Sequence, residues 1–206
     1  MYSINFSPLL RRLIILTKQL IVKSHMFIIR ISAKNQSKRI CRNAKTEREK
    51  DMAIEKVKAY FKEHGIEGRV QEFDVSSATV ELAAEALHCE PQRIAKTLSF
   101  AVDGHAVLVV SAGDTKIDNP KYRAQFGTKA KMLSPEEAER LVGHAVGGVC
   151  PFAVNEGVDV YLDISLKRFD TVFPACGSSN SAIELTIAEL EKYSGYTEWV
   201  DVCKGY

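Results

Sequence analysis

The chain has 206 residues, 46% of them hydrophobic, and a formal net charge of +2, enough sequence for one well-packed domain and short for two. The charge is unevenly spread. Residues 1–46 hold ten Lys or Arg and no Asp or Glu, so of 28 basic residues 18 remain in 47–206 against 26 acidic ones, a net −8 there. The five cysteines (Cys41, Cys89, Cys150, Cys176, Cys203) form no CxxC and no zinc-type Cys/His grouping, which argues against a disulfide framework or structural zinc and fits a reducing, cytoplasmic setting.

The segment LLRRLIILTKQLIVKSHMFIIRI alternates apolar runs with basic residues. Its uncharged stretches fall well short of the roughly 18–20 residues of a membrane span, and it lacks the ordered parts of a signal peptide. Three readings stay open: an organelle transit sequence, an amphipathic helix on a membrane surface, or upstream sequence that the functional protein lacks. The third is preferred, with Met52 as the start, because Met52-Ala53-Ile54-Glu55 opens directly into a helix. In each case residues 1–51 are expected to stand outside the fold, and 52–206 to form the domain, with no membrane association.

From Glu47 to His64, Ile54, Val57 and Phe61 recur at helical spacing, and Gly65 ends the helix. Arg69–Phe73 reads as a short strand, and Thr79–Leu87 as a helix capped by Ser77 or Thr79. Thr97–Val102 alternates, Asp103-Gly104 is a two-residue turn, and His105–Val110 is almost wholly apolar. This is a β-hairpin whose second strand is buried on both faces. Asp118-Asn119-Pro120 starts a helix, and Ser134-Pro135-Glu136-Glu137 is a capping box opening a helix to about Val142. Val158–Ile164 is a half-buried strand, followed by strands at Thr171–Ala175 and Ala182–Leu185. Thr186-Ile187-Ala188-Glu189 opens a helix ending at Gly195, and Thr197–Cys203 closes the domain as a strand. Strands and helices intermix without strict βαβ alternation, so the expected fold is α+β, a mixed β-sheet or partly closed barrel with flanking helices.

No P-loop, GxSxG, GxGxxG or HExxH occurs, and the histidines are isolated, each read as a surface or core residue. Cys150 and Cys176 read as small packing residues. Three features stand out. Lys96 lies where a helix-like Pro91–Ala95 passes into a strand, a position from which lysine ordinarily points to solvent. The run GHAVGGVCPF at 143–152 is dense in glycine, which lets a ligand approach the main chain but also serves as a plain connection. GSSNS at 177–181 either holds a polar ligand or forms an ordinary turn.

Together these features resemble the YbaK-like aminoacyl-tRNA deacylases, a family also found as the editing domain of bacterial prolyl-tRNA synthetases. Ile94-Ala95-Lys96-Thr97-Leu98 is similar to the family's lysine-bearing strand. Gly147-Gly148-Val149-Cys150-Pro151 fits its GxxxP loop, and Gly177 with Ala182-Ile183-Glu184-Leu185 its closing Gly…IEL segment. The resemblance covers about 52–203. It implies the YbaK-like editing-domain fold and trans-editing hydrolysis of the ester of a mischarged aminoacyl-tRNA, chiefly tRNA for proline carrying Cys, Ala or another small amino acid. It implies Lys96 as the catalytic or anchoring residue and Gly147, Gly148, Val149, Cys150 and Pro151 as the pocket loop, with Asp163, Gly177 and Ser178 as further substrate-binding positions. Such an ester is already activated, so positioning and oxyanion stabilisation suffice without a side-chain nucleophile, metal or organic cofactor. The expected partners are the acceptor end of aminoacyl-tRNA and prolyl-tRNA synthetase. A net −8 sits badly with a polyanion, and Lys116, Lys121, Arg123, Lys129 and Lys131 are the candidate tRNA contacts, with an ordinary solvated face the slightly preferred reading of the same stretch. The rival readings are a non-catalytic tRNA- or nucleotide-binding regulatory module and a hydrolase of a different small ester.

Overall fold

The structure is a computed structural model, in which residues 52–75 and 77–206 are described; all lie in the second of the chain's two units, Glu47–Tyr206. The expected readings of residues 1–51, and the start of the first helix, lie outside the described residues.

Residues 52–63 are helical (α1) and bury Ala53, Ile54, Val57 and Phe61, the stripe that the sequence spacing sets. A 3₁₀ turn at Glu67–Arg69 and a two-residue strand β1 (Gln71–Glu72) stand where a longer strand was expected. Helix α2 (Val80–Leu87) is capped by Thr79, whose side chain accepts from the Leu82 N–H. The hairpin is β2 (Ile94–Val102) and β3 (His105–Ala112), longer than its apolar pattern by several residues at the open end. β4 (Lys116–Ile117) leads to α3 (Asn119–Phe126), capped by Asp118. Then follow α4 (Pro135–Val142), with its full capping box, and β5 (Val158–Asp163). β6 (Thr171–Pro174), β7 (Ser181–Ala182), β8 (Leu185–Thr186), α5 (Ile187–Ser194), β9 (Glu198–Val200) and β10 (Cys203–Lys204) complete the chain.

Six strands form one mixed sheet in the order β8-β6-β2-β3-β5-β9, curled into a half-barrel. β2 and β3 are antiparallel, β3, β5 and β9 run parallel, and β6 joins the other edge of β2 in parallel over two residues. The alternation of β3 explains its unbroken apolar sequence. Ala106, Leu108, Val110 and Ala112 pack into the larger core with α1, α4 and α5, while Val107 and Val109 meet Tyr122 of α3 on the opposite face.

Two expected strands are each split. Ala182–Leu185 changes partner, β7 pairing with β1 and β8 with β6. Thr197–Cys203 likewise breaks at Asp201-Val202, β9 pairing with β5 and β10 with β4. A side chain holds this second break open. Asp163 Oδ2 accepts the Val202 N–H at 2.9 Å, taking the place of a ladder partner.

Candidate active site

A cavity of about 340 Å³ opens beside the edge of β2. Its walls come from Ile94–Ser99 of β2, the Ser77–Val80 entry of α2, Met132 and Leu133, the loop residues Val146, Gly147 and Val149, and β6 and β7. A cavity of this size and mainly apolar lining suits a small ligand group.

Lys96 is on that wall and is half-buried, contrary to the ordinary solvent-pointing position. Its Nζ donates to the Gly113 carbonyl at 2.9 Å and to the Thr115 carbonyl. The turn that supplies these oxygens is fixed from several sides. A β-carbon on Gly113 would lie 2.0 Å from the Pro91 carbonyl oxygen, and Asp114 is held by Arg168 at 2.6 Å. Burial pulls the Lys96 ammonium below its ordinary value, and Lys116 works in the same direction. Two of the ammonium's three hydrogens are committed to the turn, which leaves one for a ligand.

The glycine loop and the GSSNS segment meet. Gly147 adopts φ +94°, and a β-carbon there would touch those of Ser179 and Ala78 at 3.3 and 3.4 Å. Gly148 packs on the Gly177–Ser178 backbone, and Gly177 (φ +85°) in turn packs on Ala53 of α1. Of the expected pocket loop, Gly147 and Val149 line the cavity, whereas Gly148, Cys150 and Pro151 are buried behind it.

Three further positions do not line the cavity. Gly177 lies in the packing layer behind Gly148. Ser178 is buried, with Oγ hydrogen-bonded to Asn180 Oδ1 at 2.9 Å and Ser181 Oγ at 2.7 Å. Asp163 is wholly buried and spends its oxygens on the backbone, Oδ1 on the Ser165 N–H at 3.0 Å and Oδ2 on Val202. Both oxygens thus serve the main chain at the β9–β10 break and the turn after β5, away from the cavity lining.

His144, which nothing in its spacing singles out, holds the loop together. It is fully buried, and its Nδ1 accepts the Cys150 N–H at 3.3 Å, tying the two ends of the loop. The proton then sits on Nε2, which is buried without a hydrogen-bond partner. Burial pulls the imidazole down to about 4, so the ring is neutral at pH 7. Cys150 Sγ is 3.7 Å from the same Nδ1, superficially a nucleophile–base pair. The thiol is pushed up to about 12 by complete burial and lies outside the cavity wall, so the pair is packing, not chemistry.

The basic stretch divides. Lys121 is engaged by Asp201 at 2.7 Å and the Cys203 carbonyl at 3.2 Å, and Asp118 is paired with Lys204. Lys116, Arg123, Lys129 and Lys131 are exposed, Lys131 immediately before the cavity residue Met132. Among the described residues no group of three or more His, Cys, Asp or Glu is placed to hold a metal ion, and no helix is long and apolar enough to cross a membrane.

Residues 75–193 match the aminoacyl-tRNA editing domain. The chain belongs to this family. The match spans the Lys96 strand, the Gly147–Pro151 loop and the Gly177 segment. The uncharacterized protein YwhH of Bacillus subtilis (strain 168) is 54% identical over 75% of this chain and 99% of its own length. The proline–tRNA ligase of Geobacillus thermodenitrificans (strain NG80-2) is 28% identical over 60% of this chain, which corresponds to only 22% of the ligase. A solved structure described as a candidate trans-editing enzyme for prolyl tRNA synthetase superposes with a TM-score of 0.67 at 28% identity, over 74% of this chain and 98% of that one. That structure thus shares the curled mixed sheet described above.

Proposed function

We propose that the protein is a freestanding aminoacyl-tRNA deacylase that acts in trans on mischarged tRNA for proline, in the cytoplasm. The observation that carries this reading is the position of Lys96, half-buried on the wall of a small apolar cavity with one ammonium hydrogen uncommitted. The family, and the near-complete span of the trans-editing relative, supply the substrate class.

The reaction asks little of the protein. Water adds to the ester carbonyl, the acyl–oxygen bond breaks, and the terminal ribose hydroxyl leaves with a proton. The amino acid departs as its carboxylate, releasing the second proton to solvent. Lys96 anchors the acceptor end or stabilises the developing oxyanion, and the loop at Gly147 brings main chain close to the reacting group. The cavity holds a small side chain such as that of alanine, serine or cysteine, and a cysteinyl ester has the additional route of attack by its own thiol. Lys116, Arg123, Lys129 and Lys131 are the cations available for tRNA phosphates, with prolyl-tRNA synthetase as the delivering partner.

A panel of Cys-, Ala-, Ser- and Pro-charged tRNA for proline, beside free aminoacyl esters, tests the assignment. Hydrolysis of a mischarged species with Pro-tRNA spared is expected. Hydrolysis of the free esters alone would reassign the protein to another ester, and binding of tRNA without hydrolysis would make it a regulatory module.

A further inference from the structure

The outer pairing of β2 has a short gap centred on Thr97, and the gap opens on the cavity. Asp103 and Gly104 have φ of 47° and 84°, the two-residue hairpin turn that makes Val102 and His105 the hydrogen-bonded closing pair. Counting back from it, the N–H and C=O groups of Phe100, Leu98 and Lys96 face β3, and those of Ala101, Ser99, Thr97 and Ala95 face the outer edge. That edge is occupied at both ends. Ala95 lies in the β6 pairing opposite Pro174, Ser99 accepts from the Leu133 N–H at 3.0 Å, and Ala101 donates to the Lys131 carbonyl at 2.9 Å. Between them, the outward N–H and C=O of Thr97, and beyond these the outward N–H of Ser99, have no partner among the described residues. The Thr97 hydroxyl is also buried without a hydrogen-bond partner. Thr97 lines the cavity.

Thr97 offers one donor and one acceptor on the same side, with the Ser99 N–H as a second donor beside them. A complementary ligand carries an acceptor and a donor flanking a single tetrahedral carbon. An α-aminoacyl ester is such a ligand, with its ammonium and its ester carbonyl on either side of Cα. We infer that the aminoacyl group completes the sheet at this gap as a single added residue. Its ammonium donates to the Thr97 carbonyl, and its ester carbonyl accepts from the Thr97 N–H. The Thr97 hydroxyl hydrogen-bonds the same ligand, and the neighbouring apolar walls take its side chain. This rests on the deacylase reading and adds to it the rule by which substrate is recognised: a free α-amino group is required. The main-chain N–H directed at the carbonyl oxygen also favours the oxyanion as water adds.

The test compares tRNAs bearing the aminoacyl group that the full chain hydrolyses fastest, its α-hydroxy analogue and its N-acetyl form, each corrected for spontaneous hydrolysis. Loss of the ammonium contact should lower kcat/KM by about ten- to a hundredfold for both analogues, the effect of one hydrogen bond to a charged group. Thr97→Val, which keeps the strand and removes only the hydroxyl, should raise KM several-fold on the aminoacyl substrate, and Thr97→Ser should restore it. Equal rates on the aminoacyl and α-hydroxyacyl tRNAs would overturn the inference and leave the deacylase standing. No hydrolysis of any aminoacyl-tRNA by folded protein would remove the deacylase reading itself, and this inference with it.

Discussion

Gly148 sits so close to Gly177 that a β-carbon on it would come within 2.7 Å of the Gly177 carbonyl oxygen. The two glycines are widely separated in the chain, and their contact locks the cavity loop to the segment that follows β6. Because the obstacle is main chain, no rotamer change relieves it. Gly148→Ala should therefore destabilise the fold by about 1–3 kcal/mol, the usual cost of overpacking. Hydrolysis of mischarged tRNA, on the proposed function, should fall more than stability does, since Gly147 and Val149 on the cavity wall move with the loop. A melting temperature equal to that of the native protein would contradict the close contact.

His144 makes stability depend on acid in a defined window. Its folded value of about 4 lies below the ordinary histidine value of about 6.5. The unfolded chain therefore binds more protons between these values, and stability must rise with pH there. The contribution is fully present above about pH 6.5 and declines as pH falls towards 4, by about 3 kcal/mol in total. Chemical denaturation at a series of pH values measures it. His144→Asn, which keeps an acceptor for the Cys150 N–H, should flatten this part of the curve at some cost in packing.

Asp163 separates a structural role from a catalytic one. Removing its carboxylate in Asp163→Ala strands the buried N–H groups of Ser165 and Val202, at about 1–3 kcal/mol each. The variant should unfold at markedly lower denaturant yet retain kcat/KM wherever it remains folded. A hundredfold fall in kcat with unchanged stability would return Asp163 to the site.

Affinity for tRNA should be weak and fall with salt, since residues 47–206 carry a net −8 that opposes phosphate. Lys121 is already engaged by Asp201, so Lys121→Ala should change tRNA affinity less than Lys131→Ala, next to the cavity. Titrations at two ionic strengths check this, and salt-independent binding would contradict it.

Much of this fold is legible in the sequence because its signals are local. The Asp103-Gly104 turn, the capping boxes at Ser134 and Thr186, and the apolar run of β3 each determine their element with residues close in the chain. Legibility fails where a strand changes partner. Nothing local distinguishes Ile183 and Glu184 from a continuous strand, and the break at Val202 depends on Asp163, almost forty residues earlier. The same holds in the site. Lys96 and the GxxxP loop are visible as motifs, but His144 reads as one more isolated histidine until the fold places Cys150 on its Nδ1. Asp163 is the converse case, a carboxylate near the motifs in sequence that the fold turns inward onto backbone amides.

The proposed chemistry depends most on Lys96. Lys96→Ala and Lys96→Met should leave the melting temperature within a few degrees of the native protein, because the stem is only half-buried. Hydrolysis of mischarged tRNA for proline should fall by two or more orders of magnitude in each. Single-turnover deacylation of Cys-, Ala- and Ser-charged tRNA for proline by these variants and the native chain is the most direct test. A large loss in folded variants, with Pro-tRNA spared by the native chain, is the predicted result. Native rates in Lys96→Ala would contradict the central claim and leave that lysine as a clamp for the Gly113–Thr115 turn alone.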